Sequence, residues 1–511
     1  MFSFELVVLL HVTKSLFMEH NRSYSKTASR RNRSLFACLL SLLVLFAGQS
    51  LTAQNKKVVL LSVNDMHAMI DQFPRFGYMV DSLRQIYPDM LLIGAGDNHS
   101  GNPINDLFTP RGYPMTHLMN EVKFDYSALG NHEFDTRSDL SYLTQVAHFP
   151  FLAANVFPAP QRGIRLLPSA IHTMPNGLKI GFIGLLQLEP SGLPATNPSW
   201  VEHVRFAPAQ ETIGAYRELR DVCDAVIVVS HLGLEEDRII ARDNSWVDLI
   251  IGGHSHTLLT EPVKEGKCII TQAGSRLRHC YLTTVTIPEK GDMQITTELL
   301  SIDRAAGKES SSIRAIVDEF NSNPFFKKVV GQAAEDFTSV DELGFFMADA
   351  HRSTLGVDIT LQNRGGVRMS SLPKGGITNH NIYSLDPFGN EMVVIELTPE
   401  ELSTLVINNW SKEFESPIYA SGLYAVYHVD KKTKKCLSVE LFTPNKKPLK
   451  KGHKYRVAYN NYIANAYHFE HAASYQQTGY TSVESILTYL NKVKTVPSYQ
   501  KEKKRWKVIL H

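Results

Sequence analysis

Five short apolar runs in the first half of the chain each end in a residue able to bind a metal or carry a proton. VVLLSV (58–63) leads into Asn64, Asp65, Met66 and His67, and MLLIGA (90–95) into Gly96 and Asp97. YSALG (126–130) leads into Asn131 and His132, AVIVVS (225–230) into His231, and DLIIGG (248–253) into His254, Ser255 and His256. Continuous runs of this length, rich in Val, Ile and Leu, predict strands buried on both faces. Between them, FGYMVDSLRQIY (76–87) and ETIGAYRELRDV (211–222) carry helical periodicity. Strands alternating with helices predict a layered α/β sheet, whose ligand site lies beyond the carboxyl ends of its strands. A single His after a strand is ordinarily structural. Five polar strand ends in one region point to a shared site.

The residue types narrow the chemistry. Asp, Asn and His without Cys offer oxygen and nitrogen donors, suited to zinc, manganese, iron or cobalt rather than copper(I) or iron–sulfur clusters. There are too many donors for one tetrahedral ion, and two ions sharing a bridging carboxylate would use them all. Such a pair binds a phosphate oxygen, lowers the pKa of a bridging water and neutralises charge during in-line attack.

Length and composition add the setting. A chain of 511 residues is expected to hold two or more domains. A net charge of +2 argues for neither a nucleic-acid binder nor a polyanion partner. Arg30, Arg31 and Arg33 precede the apolar stretch LFACLLSLLVLFAG (35–48) and a small-residue site near Ala53. That stretch is short for a transmembrane helix, which needs roughly 20 residues, so residues 1–53 are read as an extension plus a cleaved export signal. An N-terminal anchor is the rival reading. Cleavage would leave Cys223, Cys268, Cys280 and Cys436, with no CxxC pair to suggest a cysteine zinc site. Cys268 and Cys280 flank ITQAGSRLRH, which could form a hairpin closed by a disulfide; free buried thiols are the alternative.

D-x-H (65–67), GD (96–97), GNHEFD (130–135), SH (230–231) and GGHSH (252–256), in this order, resemble the calcineurin-like metallophosphoesterase signature. The resemblance implies one metal held by Asp65, His67, Asp97 and His256. It implies a second held by Asn131, His231 and His254, with Asp97 bridging to it. His132 would be catalytic, stabilising the transition state and the leaving oxygen. Asp135 would pair with His132 and set its charge and orientation. Glu133 receives no role beyond local support.

The second half resembles the 5′-nucleotidase C-terminal domain, through FTSVDELGFFMADAHRSTLGVDITLQNRGGVR (337–368), the segment 377–402 with PFGN (387–390), YASGLYAVYHVD (419–430) and YRVAYNNYIAN (455–465). The resemblance implies that Asn363, Arg364 and Arg368 bind substrate and that Phe388 stacks on a nucleobase. One departure stands out: where the family carries a GGDG turn and a second aromatic clamp, this chain reads NYIANAYHFEH (461–471). Tyr467 and Phe469 are candidates there for a stacking face.

The expected architecture is therefore an N-terminal four-layer α/β/β/α metallophosphoesterase sandwich (54–302), a linker helix (303–325) and a separate C-terminal α/β substrate-binding domain (326–511). The expected activity is two-metal hydrolysis of nucleoside 5′-phosphates by an exported protein. The partner is a small nucleotide, with no nucleic acid and no membrane anchor once the signal is removed. The same fold could instead act on 2′,3′-cyclic nucleotides, nucleotide sugars or non-nucleotide esters, or bind nucleotides without turnover.

Overall fold

Alternation along β1 (Lys56–Val63) sets the layering of the N-terminal half. Successive side chains of a strand point to opposite faces. Val58 and Leu60 enter a core with Leu91, Ile93, Phe182, Ile227 and Val229 from both large sheets. Val59, Leu61 and Val63 enter another, with Phe73, Phe76 and Val80 of the helix Phe73–Ile86. The second sheet repeats the arrangement outward, where Ile183, Val226, Val228 and Ile250 pack with Ile213 and Ile240. The result is the expected α/β/β/α sandwich.

The structure is a computed structural model describing residues 55–305, 307–412, 416–467, 469–500 and 504–511, so the expected export signal lies outside the described residues. Residues 57–287 and 293–511 form one compact unit. In the seven-stranded sheet β1, β2 (Leu91–Ala95) and β3 (Tyr126–Ala128) are parallel neighbours. In the six-stranded sheet β4 (Lys179–Leu186), β5 (Ala225–His231) and β6 (Leu249–Ile251) are likewise parallel. All five expected ligand-bearing runs thus form strands whose carboxyl ends share one edge of the sandwich.

Two expectations fail. Residues 211–222 are not one helix but short turns, Ala209–Thr212, Ile213–Tyr216 and Leu219–Val222. Gly214 costs helix stability, and of these residues only Ile213 is buried. Nor is 268–280 a hairpin: Cys268 opens a strand of the six-stranded sheet and Cys280 belongs to the strand His279–Ile287 of the other. All four cysteines among the described residues are free. Burial pushes the Cys268 and Cys280 thiols up, Cys280 to about 12.

The helix Ser311–Phe320 occupies the expected linker and buries Ile313 and Val317 in the N-terminal core. Beyond it, a five-stranded mixed sheet runs in the order 419–421, 359–362, 455–460, 391–397, 476–481. The helices Val340–Leu355 and Ser482–Val493 are bridged by fully buried His351, whose Nδ1 lies 3.1 Å from Ser485 Oγ and whose Nε2 lies 3.2 Å from Ser482 Oγ.

Burial drops His351 to about 4, against a hydrogen bond with Gln362 that raises it. In the unfolded chain the imidazole titrates near 6.5. Between these values the unfolded state takes up a proton that the folded state refuses. Stability present above pH 6.5 is therefore lost as pH falls toward 4, by ~3 kcal/mol. A His351→Gln variant should show a flatter stability profile across this window in denaturant melts. Parallel profiles for the two proteins would refute the assignment.

Candidate metal centre

The chain reaches the site through strained backbone. Asp65, His67, Asp97, His254 and His256 all have positive φ, from 47° to 75°. Such conformations cost side-chain-bearing residues about 1–3 kcal/mol each and cluster at functional sites. At Gly130, an added Cβ would meet the Asp97 nitrogen and Oδ1 at 2.3 Å, so only glycine lets the third loop close on the second.

The donors converge around Asp97. Its Oδ2 lies 3.2 Å from His231 Nε2 and 4.0 Å from both His67 Nε2 and His132 Nε2. On one side His256 Nε2 sits 2.9 Å from His67 Nε2 and 3.4 Å from Asp65 Oδ1. On the other, His254 Nδ1 lies 3.1 Å from Asn131 Oδ1. Asp65–His67–His256 and Asp97–His231–His254 are each spaced to hold a metal ion; His67–Asp97–His132 overlaps both.

Tautomers support this use. His231 Nδ1 is 2.7 Å from the Ala95 carbonyl and His67 Nδ1 3.0 Å from that of Ser100. A ring nitrogen that donates to a carbonyl leaves the other with its lone pair exposed, the arrangement usual for metal-bound histidines. Nε2 of His231 is buried and faces the Asp97 carboxylate at 3.2 Å. A buried imidazole nitrogen and a carboxylate oxygen turned toward one another fit a shared cation.

Charge follows the same geometry. Burial opposes protonation of His231, yet Asp97 and then Asp65 override it and push its pKa up to about 10. Burial lowers His254 to about 4, helped by the charge of His231. His67 also falls, through burial, Arg368 and His256.

His132 stands at the edge of this cluster. Its Nδ1 is 2.6 Å from Asp135 Oδ2, while Asp135 accepts from Ser100 Oγ at 2.7 Å and Thr196 Oγ1 at 3.2 Å. Burial works against a charge on His132, but Asp97 and Asp135 outweigh it and raise its pKa.

Glu133, expected to give local support only, is fully buried and holds the loops together. Its Oε2 accepts from the Gly130 and Asp97 nitrogens at 2.6 and 3.0 Å. Its Oε1 accepts from Asn98 N at 2.7 Å and faces His99 N at 3.4 Å and His99 Nδ1 at 3.2 Å. Asn64 acts similarly between Asp65 and the Ala273–Gly274 turn.

Of the expected substrate residues, two approach the cluster. The Phe388 ring lies 5.9 Å from that of His132 with the planes 26° apart, and Arg368 Cζ lies 5.4 Å from the Phe388 centroid. Arg276 donates to the Arg368 carbonyl at 2.7 Å from the N-terminal half, a contact no sequence motif signals. Arg364 is turned aside, its Nη1 2.7 Å from Tyr419 Oη and 3.1 Å from Asp341 Oδ1. Asn363 is buried, its Oδ1 accepting from Asn460 Nδ2 at 3.3 Å. The departing 461–471 segment forms a short helix, Asn461–Ala466. Tyr467 caps that helix and is buried in the C-terminal core, so it presents no stacking face.

Residues 59–258 match the family described as calcineurin-like phosphoesterase, and residues 327–471 match the 5′-nucleotidase C-terminal domain. Endonuclease YhcR of Bacillus subtilis (strain 168) is 26% identical over 505 residues, covering 87% of this chain. Trifunctional nucleotide phosphoesterase protein YfkN from the same organism is 26% identical over 503 residues, covering 85% of this chain. The chain spans 40% and 34% of the length of these two relatives. The crystal structure of a 5′-nucleotidase precursor from Thermus thermophilus is similar throughout. Its TM-score is 0.77 at 26% identity, over 89% of this chain and 99% of that one.

Proposed function

Since the chain belongs to the family that joins a calcineurin-like phosphoesterase domain to a 5′-nucleotidase C-terminal domain, and is a metal-dependent hydrolase, we propose that it hydrolyses nucleoside 5′-monophosphates to nucleoside and phosphate. The observation that carries this reading is the meeting of the two halves. Phe388 from the C-terminal half stacks on His132 beside the Asp–His cluster of the N-terminal half, with Arg368 over the Phe388 ring.

In this reading Asp65, His67, Asp97 and His256 hold one divalent ion, and Asp97, Asn131, His231 and His254 a second. When bound, the two ions supply Lewis acidity at the phosphoryl oxygens and a nucleophilic water at neutral pH. Asp97 fixes the spacing between the two donor sets. Arg368 carries positive charge toward the phosphoryl or ribose oxygens. His132, held by Asp135 through Nδ1, turns Nε2 toward the cluster and delivers its proton to the leaving oxygen as the P–O bond breaks. No side chain becomes phosphorylated. The N-terminal half (54–302) performs the chemistry and the C-terminal half (326–511) presents the substrate. The leader at 30–53 supports export, and among the described residues no helix is long and apolar enough to cross a membrane.

A second reading, the same hydrolysis on cyclic nucleotides, nucleotide sugars or non-nucleotide esters, is favoured by one observation: burial of Tyr467 removes a candidate base clamp. Purified protein reconstituted with manganese or zinc should release phosphate from AMP and GMP, and lose that activity on chelation. Hydrolysis of a simple aryl phosphate with none of AMP would sink the nucleotide assignment.

A further inference from the structure

Arg137, two residues past Asp135, sits in a conformation that suits glycine. Its φ of 60° and ψ of −130° mirror the extended region open to ordinary residues. A strained side chain persists only where the surroundings enforce it, and such positions gather at ligand clamps. The Arg137 guanidinium carbon lies 4.8 Å from the Trp200 ring centroid, a cation–π contact that holds the fork over the ring. A Cβ added to Gly389, the residue after Phe388, would lie 3.5 Å from Arg137 Nη2. Arg137 therefore faces the turn that carries the substrate aromatic.

Its donors are uncommitted. Among the described residues the Arg137 side chain makes no hydrogen bond or ion pair. The charges it feels are Arg111, which repels it, and Asp135, which is already engaged by His132, Ser100 and Thr196. An oriented guanidinium without a protein acceptor, against the Phe388–Gly389 turn that packs on His132, is placed to meet the leaving group of an ester bound there.

We propose that Arg137 is a specificity-determining residue, donating from its guanidinium, held over Trp200, to an oxygen acceptor on the leaving group, a base carbonyl or a sugar hydroxyl. This rests on the phosphomonoesterase reading above. Phosphate esters with oxygen-bearing leaving groups gain from the contact, and esters with plain hydrocarbon leaving groups do not.

The test compares GMP with phenyl phosphate, whose leaving group offers no acceptor beyond the ester oxygen, in wild-type enzyme and in Arg137→Gly. Loss of one charged hydrogen bond should lower the ratio of kcat/KM for GMP to that for phenyl phosphate about tenfold. Relief of strain should leave the melting temperature equal to or above that of wild type. Arg137→Gln, which keeps the backbone strain and the side-chain stem, should shift the ratio in the same direction. An unchanged ratio in both variants overturns the inference, as does an equal loss on both substrates. Wild-type enzyme that hydrolyses phenyl phosphate but not GMP overturns the nucleotide reading instead, a result visible before any variant is made.

Discussion

His132→Ala should lower kcat on a nucleoside monophosphate by about 100- to 10,000-fold, the range for loss of a positioned proton donor, with metal content unchanged. The expectation comes from how the ring is held. Nδ1 is committed to Asp135 at 2.6 Å, and Asp135 is itself fixed by Ser100 and Thr196. That leaves Nε2 to face the cluster, 4.0 Å from Asp97 Oδ2. Removing the imidazole deletes the donor without touching any of the seven expected ligand side chains. Metal stoichiometry measured alongside kcat separates the roles. An unaltered rate would refute the catalytic assignment, and loss of metal would make His132 a ligand instead.

The second large effect is on stability. Glu133→Ala should cost about 4 kcal/mol or more, because it leaves buried N–H groups of Gly130, Asp97, Asn98 and His99 facing a void, at ~1–3 kcal/mol for each group left unsatisfied. These groups belong to the loops that follow β2 and β3, so the damage should reach the centre as weaker metal binding. Glu133→Gln keeps the volume but turns an NH₂ toward N–H donors, and should fail in the same direction by a smaller amount. Chemical denaturation with metal titration of the folded fraction measures both. Wild-type stability in Glu133→Gln would show that the carboxylate is dispensable.

How much was legible follows from range. The five ligand-bearing strands could be read because a strand buried on both faces advertises itself as an unbroken apolar run. Its carboxyl end then fixes where the next polar residue points. Residues 211–222 misled because periodicity alone does not show that only Ile213 is fully buried, with Tyr216 and Leu219 left at the edge of the core. For Glu133 a supporting role could be read but not its partners, which are nitrogens about 35 residues away, brought near by the β2–β3 pairing. Arg137 was silent: backbone strain has no residue-type signature unless the residue is glycine. Cys268 and Cys280, close in sequence, are separated because the chain passes between sheets.

The helix Ser311–Phe320 bears on how the N-terminal half could be obtained alone. Counted by its strands, that half ends near Ile302, yet its core also takes in Ile313, Val317 and, further on, Phe326. Each such side chain is worth roughly 1.5–3 kcal/mol when buried. A fragment cut at 302 would expose the apolar groove beside Gly77, where Ile313 sits, and would tend to aggregate. One carried through Lys327 would bring its own cover.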